Sequence, residues 1–153
     1  GRQPSPDDFS RLDYTRRVLA ESMRLYPPVW VISREAVRDT TVGPHAIPRG
    51  AQVIVSQWVT HRDPRYYPDP ERFDPDRWLP AAAEARPKFA YFPFGGGRRL
   101  CIGESFAWME GVLVLATLAQ RWRFTLQPGH QVALDPHITL RPKGGMPMRV
   151  AGR

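Results

Sequence analysis

Cysteine is nearly absent: the 153 residues hold one, Cys101. A lone thiol excludes an intramolecular disulfide and suits a reducing compartment. Long hydrophobic runs are missing too. No stretch reaches the roughly 18 uninterrupted apolar residues of a membrane helix, and no signal-peptide pattern is present. Acidic residues are short, with 15 Asp and Glu against 22 Lys and Arg, a formal net charge of +7. Such an excess could serve nucleic acid, an acidic partner protein or an anionic cofactor. The arginines form no run and no aromatic-interleaved basic stripe, which argues against nucleic acid. The four histidines (His45, His61, His130, His137) are scattered along the sequence away from Cys101. With a single thiol they give no zinc-ligand spacing. Arg98-Arg99-Leu100 stands where a phosphate-cradling loop would need Gly-Lys-Ser/Thr at a helix start.

Proline is abundant at 17 residues, and 42% of the chain is hydrophobic, enough for one domain with a core. The polar opening, Gly1 to Asp8, has no initiator Met, and the proline content exceeds what a self-contained small domain needs. The expectation is a piece of a larger protein. Asp13 is read as the cap of a helix from Tyr14 to Leu25, stopped by Pro27-Pro28. Val29 to Ile32 reads as a short buried strand, with further strands at 40–42 and 51–55 forming a hairpin or small sheet. From His61 to Pro80 prolines and aromatics predict an ordered meander packed on the core, and 81–88 an exposed loop or short helix. Apolar residues from Glu104 to Arg121 fall at helical spacing with little polar face left, which predicts a buried helix. Short strands, broken at Pro128-Gly129 and Gly144-Gly145, close the chain. There is no internal repeat.

Cys101 lies in Phe94-Gly95-Gly96-Gly97-Arg98-Arg99-Leu100-Cys101-Ile102-Gly103, at the entrance of that helix. Several roles compete for it. A buried core cysteine fits poorly beside three glycines and Arg99. A phosphatase-like nucleophile wants an arginine six residues on, where Ala107 stands. An axial thiolate ligand to haem iron gives each neighbour a task. Glycines bring backbone close under a flat macrocycle, and the helix start favours negative charge on sulfur. Arg99 can pair with a propionate, Phe94 can shield the sulfur, and Gly103 allows close packing where the helix begins.

These residues resemble the ligand loop of the cytochrome P450 family, Phe-x-x-Gly-x-Arg-x-Cys-x-Gly. Phe94, Gly97, Arg99, Cys101 and Gly103 fill every fixed position. Glu21-Ser22-Met23-Arg24 is similar to the family's Glu-x-x-Arg helix. The meander resembles Pro-x-x-Phe-x-Pro-x-Arg-aromatic through Pro70, Phe73, Pro75, Arg77 and Trp78. This register makes Arg77 the third member of a Glu–Arg–Arg triad with Glu21 and Arg24, and leaves Arg72 as an exposed loop residue. The resemblance also implies a propionate-pairing role for Arg34 and a substrate pocket at Val29, Trp30, Val31, Ile32 and Ile138.

The implied fold is mainly α with small β-sheets (α+β), residues 1–153 being the C-terminal haem-binding part of a single domain. The implied cofactor is haem b (iron protoporphyrin IX), with Cys101 donating electron density to the iron. The implied activity is haem-thiolate monooxygenation of a hydrophobic small molecule, using O2 and electrons from a flavoprotein or ferredoxin. The family's oxygen-activating helix lies upstream of Glu-x-x-Arg, and Asp39-Thr40-Thr41 imitates its acid–threonine pair only in a strand context. The expectation is that the chain by itself is inactive, with no catalytic residue beyond the haem ligand. Two alternatives stay open: a haem-thiolate peroxygenase or hydroperoxide isomerase, and a non-enzymatic basic interaction module. Location is open, cytoplasmic for a soluble bacterial member.

Overall fold

A computed structural model describes residues 2–153. Helix α1 (Asp13–Leu25) starts one residue earlier than expected, with Leu12 at the capping position. Asp13 is not a cap. Its carboxylate accepts from Arg16 at 3.0 Å and Arg17 at 2.9 Å, so it braces the first turn through side chains one turn on. At the other end the Tyr26 N–H reaches Ser22 O at 2.7 Å before Pro27-Pro28 stops the helix.

Strand β1 (Ile32–Glu35) pairs antiparallel with β4 (Gln52–Val55), in register Ile32 to Val55. Between them sits a hairpin of β2 (Thr40–Val42) and β3 (His45–Ile47), turned at Gly43-Pro44. The strand expected over 29–32 therefore begins at its last residue. Residues 29–31 join no ladder, and the start of α2 claims the middle one: Trp30 O accepts from the Trp58 N–H and from Ser56 Oγ. Strand β3 was not anticipated, since three residues are too few to show alternation.

Helix α2 (Gln57–Thr60) follows β4, capped by Ser56 Oγ, which accepts from the Val59 N–H at 3.3 Å. The meander is ordered and includes a 3-10 turn at Pro75–Trp78 that packs against α1. Helix α3 is short (Pro80–Glu84). Helix α4 (Glu104–Arg121) packs on α1 and on the 3-10 turn Pro6–Arg11. Strands β5 (Trp122–Leu126) and β8 (Met148–Gly152) form one ladder. They enclose a second, of β6 (Leu134–Pro136) and β7 (Leu140–Pro142).

Helix α4 corrects an expectation. Only Val112 and Ala116 are buried along it, and Phe106 is 70% exposed. The described elements cover one of its faces, so apolar side chains on the others meet solvent. The centre of the fold is unusually polar: Glu21, Arg24, Gln57, His61 and Tyr67 are all fully buried.

Candidate functional site

The glycine loop turns twice before the cysteine. Gly95 (φ 77°) and Gly97 (φ 66°) both take left-handed backbone, which side chains with a Cβ resist. Gly96 serves a different need, since a Cβ there would lie 2.7 Å from Phe89 Cε1. The loop closes when the Cys101 N–H donates to Phe94 O at 3.0 Å, and Cys101 O accepts from the Glu104 N–H at 3.3 Å. This places Cys101 against the first turn of α4. The thiol is exposed, so Cys101 is not a core residue. Phe94 stacks near Trp108 of α4, ring centroids 6.0 Å apart.

Cys101 and Arg99 share a cavity of about 400 Å³ with Arg34, Met23, Pro28, Val29, Ile32, Gln57, Pro93, Phe94 and Gly95. Arg34 and Ile32 are two apart on β1 and face the same side, as strand geometry requires. Three expected pocket residues lie elsewhere. Trp30 donates from Nε1 to His137 O at 2.9 Å and lines a separate apolar cavity with Trp58, Leu134, Pro136 and Leu140. Ile138 is 95% exposed, and Val31 is absent from the Cys101 wall. Gly97 and Gly103 also stand off that wall. Gly97 lines the adjoining depression beside Phe89 and Phe92. A Cβ at Gly103 would sit at an ordinary 3.8 Å from Cys101 Sγ, so no clash within the described residues requires glycine there.

Behind the loop lies an ionic cluster. Arg24 grips Glu21 with two hydrogen bonds, Nε to Oε2 at 2.9 Å and Nη2 to Oε1 at 2.8 Å. Arg77 Nε lies 3.5 Å from Glu21 Oε1, too poorly aimed for a hydrogen bond, while its Nη2 donates to Asp69 O at 2.9 Å. Glu21 also accepts from the Asp74 N–H at 2.9 Å and from Trp78 Nε1 at 3.0 Å. Arg24 donates further to the carbonyls of His61, Pro70 and Arg72. Helix α1 is thereby tied to the meander. Arg72 is exposed and contributes only its backbone.

Two polar residues of this region escaped the sequence reading. His61 was set aside as remote from Cys101, yet its Nε2 accepts from the Phe92 N–H at 3.0 Å, two residues before Phe94. Burial, then the charge of Arg24, lower its pKa to about 4, so it is held neutral. Gln57 is fully buried on the cavity wall, and neither amide atom has a hydrogen-bond partner among the described residues. An orphaned buried amide costs about 1–3 kcal/mol. Nothing in the local pattern around Gln57 announces either its burial or its direction.

Among the described residues no helix is long and apolar enough to cross a membrane. Comparison with known proteins agrees with the fold. The sequence model of the family described as Cytochrome P450 matches residues 1–147. A Mycobacterium tuberculosis protein named cytochrome P450 132 is 49% identical over 152 residues, covering 99% of this chain and 32% of the relative. Cyclooctat-9-en-7-ol 5-monooxygenase of Streptomyces melanosporofaciens is 43% identical, covering 84% of this chain and 28% of that protein. The solved structure of a retinoic-acid-bound cyanobacterial CYP120A1 superposes with a TM-score of 0.93 at 36% identity, covering 100% of this chain and 35% of that one. The chain thus spans about a third of the length of the relatives it matches. It belongs to the cytochrome P450 family.

Proposed function

We propose that this chain is the C-terminal haem-binding part of a single domain, and that the whole protein is a haem-thiolate monooxygenase acting on a hydrophobic substrate. The observation that carries the reading is one cavity wall holding the exposed Cys101 thiol, two arginines and an apolar surface. That donor set fits iron protoporphyrin IX: a soft sulfur for the iron, guanidinium groups for two propionates, and apolar contact for the ring. When bound, the group supplies the iron at which dioxygen is activated.

The chain's own residues prepare that chemistry. Cys101, at the entrance of α4, would supply the sulfur ligand, and Phe94 lines the same cavity beside it. Gly95 lets the backbone pass close to the ring, and Gly97 supplies the loop's second left-handed turn. Arg34 and Arg99 fix its anionic edge, and Val29 and Ile32 present apolar surface to the substrate. Glu21, Arg24, Arg77 and His61 hold α1, the meander and the ligand loop in one frame. A relative named as a monooxygenase supports the class of reaction. Electrons come from a flavoprotein or ferredoxin that docks on basic surface including the exposed Arg98 and Arg121.

The test is spectroscopic. Full-length protein, reduced under carbon monoxide, is expected to show the strongly red-shifted Soret band of thiolate ligation, and Cys101→Ala to lose it. A normal band in that variant overturns the ligand assignment.

A further inference from the structure

We propose that His61 is a positioning residue for the sulfur ligand: its neutral imidazole accepts the Phe92 N–H and so fixes the base of the loop that presents Cys101. The proposal rests on the haem-thiolate reading above and adds the condition, an uncharged His61, under which the sulfur stays in place.

Successive hydrogen bonds lead from the ring to the ligand. His61 Nε2 accepts from the Phe92 N–H at 3.0 Å. Phe92 O accepts from the Gly95 N–H at 2.9 Å, and Phe94 O accepts from the Cys101 N–H at 3.0 Å. Phe94, Gly95 and Cys101 all line the cavity. The ring has little freedom to turn. It is fully buried, with its centroid 5.0 Å from that of Tyr91 and 5.2 Å from that of Phe92. Its backbone is tied on both sides, the N–H donating to Gln57 O at 2.8 Å and the O accepting from Arg24 Nη1 at 2.8 Å.

An imidazole accepts only while one nitrogen is bare. With Nε2 accepting, the single ring proton sits on Nδ1, which has no hydrogen-bond partner among the described residues. A second proton would go to Nε2 and turn it into a donor facing another donor 3.0 Å away. In a buried site neither N–H can turn to water, so the contact opens and releases Phe92. The charged and titratable groups around the ring are Arg24 of α1, whose charge is met by Glu21, Arg62 just after α2, and the Tyr91 phenol on the loop side. Burial and then Arg24 outweigh the backbone of Arg24 and Met23, which favours the proton, and hold the pKa at about 4. Opening the loop to water returns the imidazole toward its ordinary 6.5, so the opened state takes up the proton more readily than the closed one.

The experiment follows the red-shifted carbon monoxide band of the full-length holoprotein against pH, in the parent and two variants. His61→Gln keeps an acceptor for the Phe92 N–H on a side chain that does not titrate. His61→Leu removes the acceptor. In the parent, loss of the band is expected to quicken by up to about tenfold per pH unit from 6.5 down to 4, the effect of one proton. His61→Gln is expected to hold the band at pH 7 and to lack most of that acceleration. His61→Leu is expected to lose it about tenfold faster than the parent at pH 7, the worth of one buried N–H left without its acceptor. The parent's pH slope retained in His61→Gln overturns the proposal, since the proton then acts elsewhere, on Cys101 itself for one. So does a band as persistent in His61→Leu as in the parent. So does a band lost only together with the far-ultraviolet helix signal, which marks global unfolding. Should His61→Leu fail to fold, the slope in His61→Gln decides alone. A parent protein without the red-shifted band at pH 7 sinks the haem-thiolate reading itself, a failure seen before any variant is compared.

Discussion

Glu21 and Arg24 are both inaccessible to solvent, and Arg24 reaches three backbone carbonyls besides the carboxylate. A buried pair of this kind tolerates no missing member, because the survivor keeps its charge without compensation. Glu21→Gln is therefore expected to destabilise the protein by about 3–5 kcal/mol. The measurements are the urea midpoint and the haem content of the purified protein; parental values of both would show that the carboxylate's charge is dispensable. His61 gives a pH-dependent counterpart. Its pKa is about 4 in the fold against an ordinary 6.5, so between those values the unfolded chain binds the proton and the folded chain does not. Stability from this group is complete above 6.5 and is lost as pH falls toward 4, by about 3 kcal/mol. His61→Gln should flatten the fall in thermal midpoint between pH 7 and pH 4.5; an unchanged slope in that variant would mean other groups carry it. The spacing of Glu21 and Arg24 made their pairing legible in the sequence, since residues three apart share a helix face. Gln57 and His61 were not legible, because what defines them is a long-range packing of α2 under the ligand loop.

Helices α1 and α4 meet where Gly111 faces Leu19. A Cβ at Gly111 would approach Leu19 Cδ2 to 2.6 Å, closer than side chains tolerate. Two effects then oppose one another in Gly111→Ala. Helix propensity favours alanine by about 1 kcal/mol. Overpacking costs about 1–3 kcal/mol, and Leu19 can relieve part of it by moving its methyl groups. The net expectation is a loss of about 1 kcal/mol in the parent. The sign should reverse in a Leu19→Ala background, where the same change stabilises by about 1 kcal/mol. Unfolding midpoints of the four proteins decide it, and additive effects would mean the two residues do not touch. At this scale α1 and α4 were readable because thirteen and eighteen residues carry periodicity and stop signals. The shift of β1 to Ile32–Glu35 was not readable: apolar β-branched residues suit a strand, but Trp30 O is claimed by α2 instead. Nor was the exposure of α4, since apolar periodicity reports what a helix can bury and not what this chain supplies to cover it.

Across the whole molecule the charge is +7, and the exposed Arg98 belongs to the same short loop that presents Cys101. On the proposed reading, a donor with an acidic face would be drawn to the side of the molecule that presents Cys101. Arg121 closes α4 at its far end. Steering of this kind depends on charges seeing one another beyond contact, and the screening length falls from about 10 Å at 0.1 M salt to about 3 Å at 1 M. First-electron reduction of the full-length protein by its donor is therefore expected to slow several-fold between 0.05 and 0.5 M salt, roughly in step with that screening. Arg98→Glu should slow it at low salt and flatten the dependence, leaving the carbon monoxide spectrum untouched because Cys101 and its wall are unaltered. A reduction rate indifferent to salt in the parent would place docking on apolar contacts, and the basic surface would then serve some other purpose.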